Sequence, residues 1–333
     1  MKKLITLAIT AIMVAAWSAS AFAADVIVYS ARKEHLIKPL FEAYTAETGV
    51  KVKYITGKAG ALLERIKAEG TNTSADLFIT VDAGNLWHAA EEGILTPINS
   101  AILEKNVPSH LRDPQNRWVG LSVRARTIVY NKDKVSPEEL STYEALGEAK
   151  WNKRLLLRTS KKVYNQSLVA SIIADKGEAE TEKIVKSWVA NLSVAPFSSD
   201  TKALEAVAAG VGDVAIVNTY YFGRLLKKNP DLPLAIFWPN QKTSGVHTNV
   251  SGAGVTANAK HKKEAVKLLE WLSSDKAQGK FASLNMEYPV NPEVKPDPIV
   301  ETWGKFKGNP MNVSKYGEYQ AEAIKLMDRA GYK

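Results

Sequence analysis

The stretch WVGLSVRARTIVYN, residues 118–131, reads as one unusually long extended segment. A second long extended stretch runs from Leu234 to Thr256. Neither stretch is typical of a surface loop in a compact domain. We therefore expect both to cross between two lobes, with a cleft between the lobes and the crossings acting as a hinge. Two crossings would also require one lobe to be assembled from separate parts of the chain.

Outward from these crossings, short strand-like segments alternate with helix-like segments, which predicts an α/β fold with mostly parallel sheets. The expected strands lie at residues 26–30, 51–55, 76–80, 118–131, 154–159, 213–218 and 234–238. After the first strand, apolar residues recur at the helical spacing i, i+3, i+4 and i+7, from Ile37 to Tyr44. A later helix is expected to have Asp200 as its N-cap and to end before Gly210.

The N-terminus has the order of a secretory signal peptide over residues 1–23. Lys2 and Lys3 precede an apolar run at residues 4–17, and Ala21-Phe22-Ala23, which has the alanines of an A-x-A cleavage site, comes just before Ala24. The apolar run is shorter than the stretch of about 20 residues that spans a bilayer. We expect a mature chain that starts near Ala24, acts in the periplasm and does not span the membrane.

The length of the chain favours two hydrophobic cores, and therefore two lobes. After the expected signal peptide about 310 residues remain, a length at which a single core usually divides. We expect lobe one at residues 24–122 and 246–296, and lobe two at residues 123–245 and 297–333. The sequence has no cysteine, which excludes both a disulfide framework and a thiolate metal site.

The formal net charge of +9 at pH 7 has more than one interpretation. The lysines and arginines are scattered, and no aromatic RNA-binding motif or zinc-finger spacing is present, so we expect no nucleic-acid partner. A solvated basic surface explains the charge, and so does contact with anions or with an acidic partner.

Tyrosines stand at two points where a strand-like segment meets a helix-like one. Tyr220 and Tyr221 lie in VNTYYFGR, directly after the strand at 213–218, and Tyr164 lies in VYNQSLVASI, at the start of a helix. Ligands of open α/β sheets bind beyond the carboxyl ends of strands. Each pattern alone is more often packing or helix capping than a ligand site, so the residues themselves leave the role of these tyrosines open.

Five segments, in order and spread over nearly the whole mature chain, carry a resemblance to a known family. They are YSAR at Tyr29, ADLFITVDAGNLWHAAEEGIL from Ala75, SVRARTIVYNK from Ser122, VYNQSLVAS from Val163 and VNTYYFGRL from Val217. Together they resemble the periplasmic ferric-iron-binding proteins of ABC importers, in the tyrosine-rich branch that includes cyanobacterial ferric-binding proteins. The resemblance implies a two-lobed solute-binding fold of type II, a monomer, and delivery of Fe3+ to an inner-membrane ABC permease.

The resemblance also implies roles for particular residues. Tyr164, Tyr220 and Tyr221 match the iron ligands of the family. Arg32 of YSAR and Arg124 of VRAR match positions that hold a synergistic anion, such as carbonate, or balance charge in the cleft. Asn218 matches a position behind the ligands.

The fourth protein ligand stays open. Relatives of this branch often have His-Tyr directly after the first arginine, where this chain has Lys33-Glu34. Glu34 could give an oxygen to the metal, or it could be an acidic residue of a first helical turn, favoured by the helix dipole. His35 could turn inward, although a lone histidine at a helix start is usually solvated.

The chemistry of ferric ion agrees with a tyrosine site. The ion is small and strongly charged, so it prefers anionic oxygen to sulfur or neutral nitrogen, and three phenolates match its charge. A free phenol ionises near pH ~10, and a bound cation lowers that pKa. We therefore expect binding to release protons and affinity to fall in acid.

Two other functions compete with iron binding. A protein of the same fold could bind thiamine, a polyamine or an oxyanion, each of which would need different cleft residues. An exported enzyme is the second alternative, but HExxH, GxSxG and P-loop motifs are absent. Residues 252–257 fit the GxGxxA dinucleotide pattern, yet the glycines lie inside an extended crossing segment and do not open a helix. We therefore expect a binding protein and no catalysis.

Overall fold

The computed structural model describes residues 25–333, so the expected signal peptide lies outside the described residues. The strands of this part are β1 (Val26–Ser30), β2 (Val52–Thr56), β3 (Leu77–Val81), β4 (Val119–Asn131), β5 (Leu155–Leu156), β6 (Val214–Asn218), β7 (Leu234–Phe237), β8 (Thr248–Val255) and β9 (Tyr288–Pro289). The helices are α1 (Glu34–Thr48), α2 (Ala59–Glu69), α3 (Ala83–Glu91), α4 (Ala101–Asn106), α5 (Val163–Lys176), α6 (Glu178–Ala190), α7 (Asp200–Ala208), α8 (Thr219–Lys228), α9 (Lys262–Leu272), α10 (Asp275–Asn285), α11 (Pro298–Glu301), α12 (Lys315–Glu318) and α13 (Gln320–Arg329). Within residues 25–333, no helix combines the length and the apolar character needed to cross a bilayer.

The strands form a mixed sheet in the order β2-β1-β3-β8-β4-β6-β5, with β7 and β9 also paired to β4. The prediction of an α/β fold is confirmed, but the prediction of mostly parallel sheets is wrong. Parallel pairing is confined to β1 with β2 and β3, and to β5 with β6. The remaining pairings all involve β4 or β8 and are antiparallel, including the pairing of β4 with β8.

Strand β4 crosses between the two halves of this sheet, as the sequence predicted. Its residues 119–125 pair with β8, whereas residues 126–131 pair with β6 and β7. One continuous strand therefore belongs to both lobes.

The second crossing is not one strand, and that prediction is wrong. β7 ends at Phe237 and β8 begins at Thr248, with a turn between them. The backbone of Asn240 and of Gly245 adopts φ of 58° and 84°. These left-handed conformations reverse the chain and end the extended run.

Separate groups of buried apolar side chains form the interiors of the two lobes. One side packs around β1, β3 and β8, with Phe41 and Phe78 among its largest members. The other packs around β6 and the second half of β4, with Trp151 and Trp188 fully buried. The residues at which one lobe gives way to the other, expected near 122, 245 and 296, stay a prediction.

Helix α7 begins one residue earlier than the sequence indicated. Its N-cap is Ser199, whose hydroxyl accepts from the backbone N–H of Lys202 at 3.2 Å, so the prediction that Asp200 caps the helix is wrong. Asp200 is instead fully buried and accepts from the backbone N–H of Asn218 at 3.0 Å. The predicted end before Gly210 is confirmed, with a φ of 75° at that glycine.

The glycines of the GxGxxA pattern lie inside β8, as expected. They allow neighbouring backbone segments to pack closely against this strand. A Cβ added at Gly254 would lie 2.6 Å from the carbonyl oxygen of Arg117, and one at Gly252 would collide with the carbonyl of Val119. The close approach of neighbouring backbones therefore explains both glycines. A dinucleotide loop would have to open a helix, and the next helix starts only at Lys262.

Candidate functional site

A cleft of about 740 Å³ lies between the two halves of the molecule. It brings together five of the predicted site residues, and these are Arg32, Arg124, Tyr164, Tyr220 and Tyr221. Arg32 follows β1 on one side, while the tyrosines come from α5 and α8 on the other. Residues more than a hundred positions apart in sequence thus face one space.

Tyr220 and Tyr221 occupy the junction of β6 and α8, where the sequence placed them. β6 ends at Asn218 and the helix begins at Thr219. The two rings lie 4.4 Å apart between centroids. Asn218 donates from Nδ2 to the hydroxyl of Tyr220 at 3.2 Å, and its Oδ1 accepts from Arg126 at 2.9 Å. Asn218 therefore orients the Tyr220 hydroxyl.

Tyr164 lies in the first turn of α5, which begins at Val163, and is buried. The guanidinium carbon of Arg124 lies 5.7 Å from its ring centroid, and that of Arg158 lies 5.4 Å away. The ammonium nitrogen of Lys162 lies 5.3 Å away. Three cations therefore surround this one ring, within the range of cation–π attraction.

Burial favours the neutral, protonated form of the Tyr164 and Tyr220 hydroxyl groups. It raises the pKa of Tyr164 to about 12, and the neighbouring Tyr221 adds to the rise while Arg124 opposes it. Burial also raises the pKa of Tyr220 well above its usual value, with further contributions from Tyr164 and Tyr221. Both phenols are thus protonated at neutral pH, and only a strong cation can displace their protons.

Two arginines of the site were missed by sequence reasoning. Arg158 donates from Nη1 to the hydroxyl of Tyr221 at 3.3 Å. The guanidinium carbon of Arg224 lies 5.2 Å from the Tyr220 centroid and 4.8 Å from that of Tyr221. The sequence could have indicated both arginines. Arg224 lies four residues after Tyr220 and three after Tyr221, a spacing that places side chains on one face of a helix. Arg158 lies near the end of a strand, at the edge of the sheet where ligands of α/β folds bind.

Arg124 is held by a buried carboxylate that was also missed. Its Nη2 donates to Oδ2 of Asp82 at 3.2 Å, whereas its buried Nη1 has no partner among the described residues. Asp82 caps α3 with an unusual φ of 83°. Its Oδ1 accepts from the hydroxyl of Ser167 on α5 at 2.6 Å, so Asp82 also ties the helix of Tyr164 to the opposite lobe.

Arg32 is paired within the protein. Its Nη2 lies 2.9 Å from Oε2 of Glu287, and both side chains are buried. Its guanidinium also lies over the ring of Phe281, 4.5 Å from the centroid. Each of the two predicted arginines keeps one buried N–H group without a hydrogen-bond partner among the described residues, at Nε in Arg32 and at Nη1 in Arg124.

The structure does not bring Glu34 into the cleft. Glu34 is an exposed residue of the first turn of α1, and its carboxylate accepts from the hydroxyl of Tyr54 at 3.0 Å. His35 is exposed as well. In residues 25–333, no group of three or more histidines and acidic residues is placed to hold a metal. The three phenols line this cleft together with the two carboxylates of Glu205 and Glu287.

Two lobes joined by crossing segments, with a polar cleft between them, define a two-lobed solute-binding protein. The chain belongs to the bacterial extracellular solute-binding proteins, whose family model matches residues 39–308. The match covers more than half of the chain.

Within this family, the similar proteins and solved structures include iron uptake and ferric iron-binding proteins. Iron uptake protein A1 of Synechocystis is 46% identical over 93% of this chain and 88% of its own length. The major ferric iron-binding protein of Neisseria meningitidis is 28% identical over 93% of this chain and 94% of its own length. A Trichodesmium protein solved with iron and citrate ligands superposes with a TM-score of 0.90, at 46% identity, over 93% of this chain and all of its own. The resemblance to ferric-iron-binding proteins and the two-lobed fold are thereby confirmed.

Proposed function

We propose that this chain binds ferric iron as its cargo in the cleft, through the phenolate oxygens of Tyr164, Tyr220 and Tyr221. The convergence of three phenols, two of them buried, on one cleft is the observation that supports this function most strongly. Shared neighbours support it further, because Arg158 lies near Tyr164 and Tyr221 and Arg224 lies near Tyr220 and Tyr221. The protein binds and releases iron and catalyses no reaction.

The donor set fits a trivalent cation. Without metal the buried phenols are neutral, so the cluster carries no repulsive anionic charge of its own. When ferric ion replaces the protons, three phenolates cancel its charge. The nearby guanidinium groups of Arg124, Arg158 and Arg224 stabilise the phenolates as they form, because an opposite charge favours the ionised state.

An external anion completes this proposal, with Arg124 as its anchor. Nη1 of Arg124 is buried at the cleft and unpartnered within the described chain, although buried polar groups are normally satisfied. Carbonate or a carboxylate bound there would satisfy this N–H group and give a further anionic oxygen to the iron.

Delivery to an inner-membrane ABC permease from the periplasm belongs to the same proposal. The names of the Synechocystis and Neisseria relatives concern iron uptake and ferric iron binding. The signal-peptide pattern of residues 1–23 supports export. We expect the chain to act as a monomer that closes over iron and presents both lobes to the permease.

Metal titration tests the function directly. Iron-free protein is dialysed at neutral pH against ferric, ferrous and zinc ions, each buffered by a competing chelator. We expect one ferric ion per chain and much weaker binding of the two divalent ions, because three phenolates match only the trivalent charge. Equal affinity for zinc, or no ferric binding, would overturn the proposal.

A binding protein for an anionic organic solute is the alternative that a specific observation favours. The cleft is lined by Lys33, Lys162, Arg158, Arg224 and Lys228, among other cations. A relative from Salmonella, 26% identical over 77% of this chain, is named as a putative 2-aminoethylphosphonate-binding protein. Calorimetric titration of iron-free protein with 2-aminoethylphosphonate and with inorganic phosphate separates the two functions. A solute site predicts much tighter binding of the phosphonate than of phosphate, whereas an iron site with an anion at Arg124 predicts no such preference.

A further inference from the structure

Arg158 lies against two of the proposed ligands, but the contacts of its own side chain are loose. Its Nη1 makes one long hydrogen bond, to the hydroxyl of Tyr221, and a wide ion pair with Asp200. Its guanidinium carbon lies 5.4 Å from the ring centroid of Tyr164 and 5.8 Å from that of Tyr221. Its buried Nε has no hydrogen-bond partner among the described residues. The position of the guanidinium group therefore depends on how firmly the backbone of Arg158 is fixed.

The backbone carbonyl of Arg158 is held by two side chains. Nδ2 of Asn165 donates to it at 2.7 Å, and the hydroxyl of Tyr332 donates to it at 2.6 Å. The same Nδ2 donates to the carbonyl of Thr159 at 2.9 Å, so both N–H groups of the amide are used. Asn165 and Tyr332 are only 2% and 3% exposed. Hydrogen bonds in such a buried place are electrostatically stronger than in water, so they fix the two consecutive carbonyl groups firmly.

Asn165 also belongs to the helix that carries a proposed ligand. It directly follows Tyr164 in the first turn of α5. Its backbone N–H donates to the carbonyl of Lys162 at 3.0 Å, in the turn that precedes the helix. One buried side chain thus ties the start of α5, with Tyr164, to the backbone of Arg158, whose guanidinium group reaches Tyr221 of α8. The amide of Asn165 therefore fixes the spacing between Tyr164 and Arg158.

We propose that Asn165 is a positioning residue of the iron site, whose amide holds Arg158 against Tyr164 and Tyr221, with Tyr332 as a second support. This inference rests on the proposed ferric function. Neither Asn165 nor Tyr332 lines the cleft, so neither is placed to contact the metal. Both act through Arg158, whose positive charge attracts the phenolate oxygens once they bind iron.

Chelator competition for ferric ion tests this assignment in two variants. Asn165→Ala removes the amide that donates to the carbonyls of Arg158 and Thr159. We expect it to lower ferric affinity by about tenfold, because the buried hydrogen bonds that restrain Arg158 are lost. Tyr332→Phe keeps the buried ring and removes only one hydrogen bond, so it should lower the affinity by about threefold. Tyr332→Phe also carries the test if Asn165→Ala does not fold.

Double variants separate positioning from a general loss of structure. In Arg158→Gln the guanidinium group is absent, so nothing remains for Asn165 and Tyr332 to position. Adding Asn165→Ala or Tyr332→Phe to Arg158→Gln should therefore change ferric affinity by less than about twofold further. A residue that only stabilised the fold would lower the affinity by the same factor in both backgrounds.

Asn191→Ala is the matched control. Nδ2 of Asn191 also donates to two backbone carbonyls, those of Leu146 and Glu148, both at 2.9 Å. Asn191 is buried too, but its amide restrains no residue that lines the cleft. We expect Asn191→Ala to lose stability in urea as Asn165→Ala does, while its ferric affinity equals that of the wild type.

Each of three results would overturn the assignment. The first is wild-type ferric affinity in folded Asn165→Ala, or in Tyr332→Phe where Asn165→Ala does not fold. The second is an equal loss of affinity from the same substitution in the wild type and in Arg158→Gln. The third is a loss in Asn191→Ala as large as that in Asn165→Ala, which would trace the effect to stability alone. Failure of the ferric function itself looks different, because the wild type would then bind no ferric ion.

Discussion

Nη1 of Arg158 lies 3.3 Å from the hydroxyl oxygen of Tyr221 and 3.6 Å from Oδ1 of Asp200. One guanidinium group thus connects a proposed iron ligand to a buried carboxylate in the core of the lobe. A cationic donor also attracts the negative charge of a metal-bound phenolate oxygen. Arg158 is therefore part of what makes the tyrosine cluster able to take a metal.

Replacing Arg158 tests that role. In Arg158→Gln, Tyr221 loses a charge-assisted hydrogen bond, and such bonds contribute about 1.5–3 kcal/mol. We expect ferric affinity, measured by competition with a chelator, to fall by about ten- to a hundredfold. The control is Arg154→Gln, which removes an arginine that donates to Asp213 away from the cleft. Equal affinity in both variants and the wild type would contradict the role.

Proton release is expected when iron binds. Burial and the neighbouring hydroxyls raise the pKa of Tyr164 and Tyr220, so both are protonated at pH 7 and must lose their protons to bind metal. At least two protons should therefore be released per ferric ion. Since protons compete with the metal, affinity should fall as the pH falls. A pH-stat titration measures the count, and a value near zero would contradict phenolate ligation.

Substitution of Glu34 should leave iron binding unchanged. The carboxylate is exposed and accepts from Tyr54, and it does not line the cleft. We expect Glu34→Gln to change ferric affinity by less than about twofold, as is usual for an exposed charge. Chelator competition measures the affinity. A large loss with a shifted absorption maximum would show instead that Glu34 reaches the metal as the lobes close.

Asp200 should be important for stability. It is fully buried, its Oδ2 lies 3.1 Å from Nη1 of Arg126, and it is close to Arg158. Asp200→Asn leaves two buried guanidinium groups without their carboxylate, and we expect a loss of about 3–5 kcal/mol in the free energy of unfolding. Urea unfolding measures it. The control is Glu318→Gln, which breaks the exposed ion pair with Lys315 and should lower the free energy of unfolding by less than about 1 kcal/mol. Similar losses of stability in the two variants would contradict this account.

Local patterns in the sequence predicted much of the fold and the main features of the site. Alternating strand and helix periodicity placed β1, β4 and β6 to within a residue or so, and the junction after β6 placed Tyr220 and Tyr221. These features depend on neighbours in sequence, so short-range spacing reveals them. The resemblance to ferric-binding proteins then joined Tyr164 to the pair, although the two segments are far apart in the chain.

Features that depend on distant contacts were not predictable from one sequence. Arg32 and Glu287 are 255 positions apart, and nothing in either segment indicates that they pair. Asp82 and Ser167 meet across the lobes, 85 positions apart. The break between β7 and β8 was missed because backbone reversal at Asn240 requires a left-handed conformation that asparagine permits but does not impose. Tertiary packing decides all three.

The visible absorption spectrum of the protein, titrated with ferric ion, tests the tyrosine site most directly. We expect the wild type to develop a phenolate-to-iron charge-transfer band that saturates at one ion per chain. Tyr164→Phe, Tyr220→Phe and Tyr221→Phe should each weaken the band. Tyr316→Phe should keep it, because that buried hydroxyl lies outside the cleft lining and has no partner among the described residues. A colourless wild type, or three cleft variants with unchanged spectra, would contradict iron binding by these tyrosines.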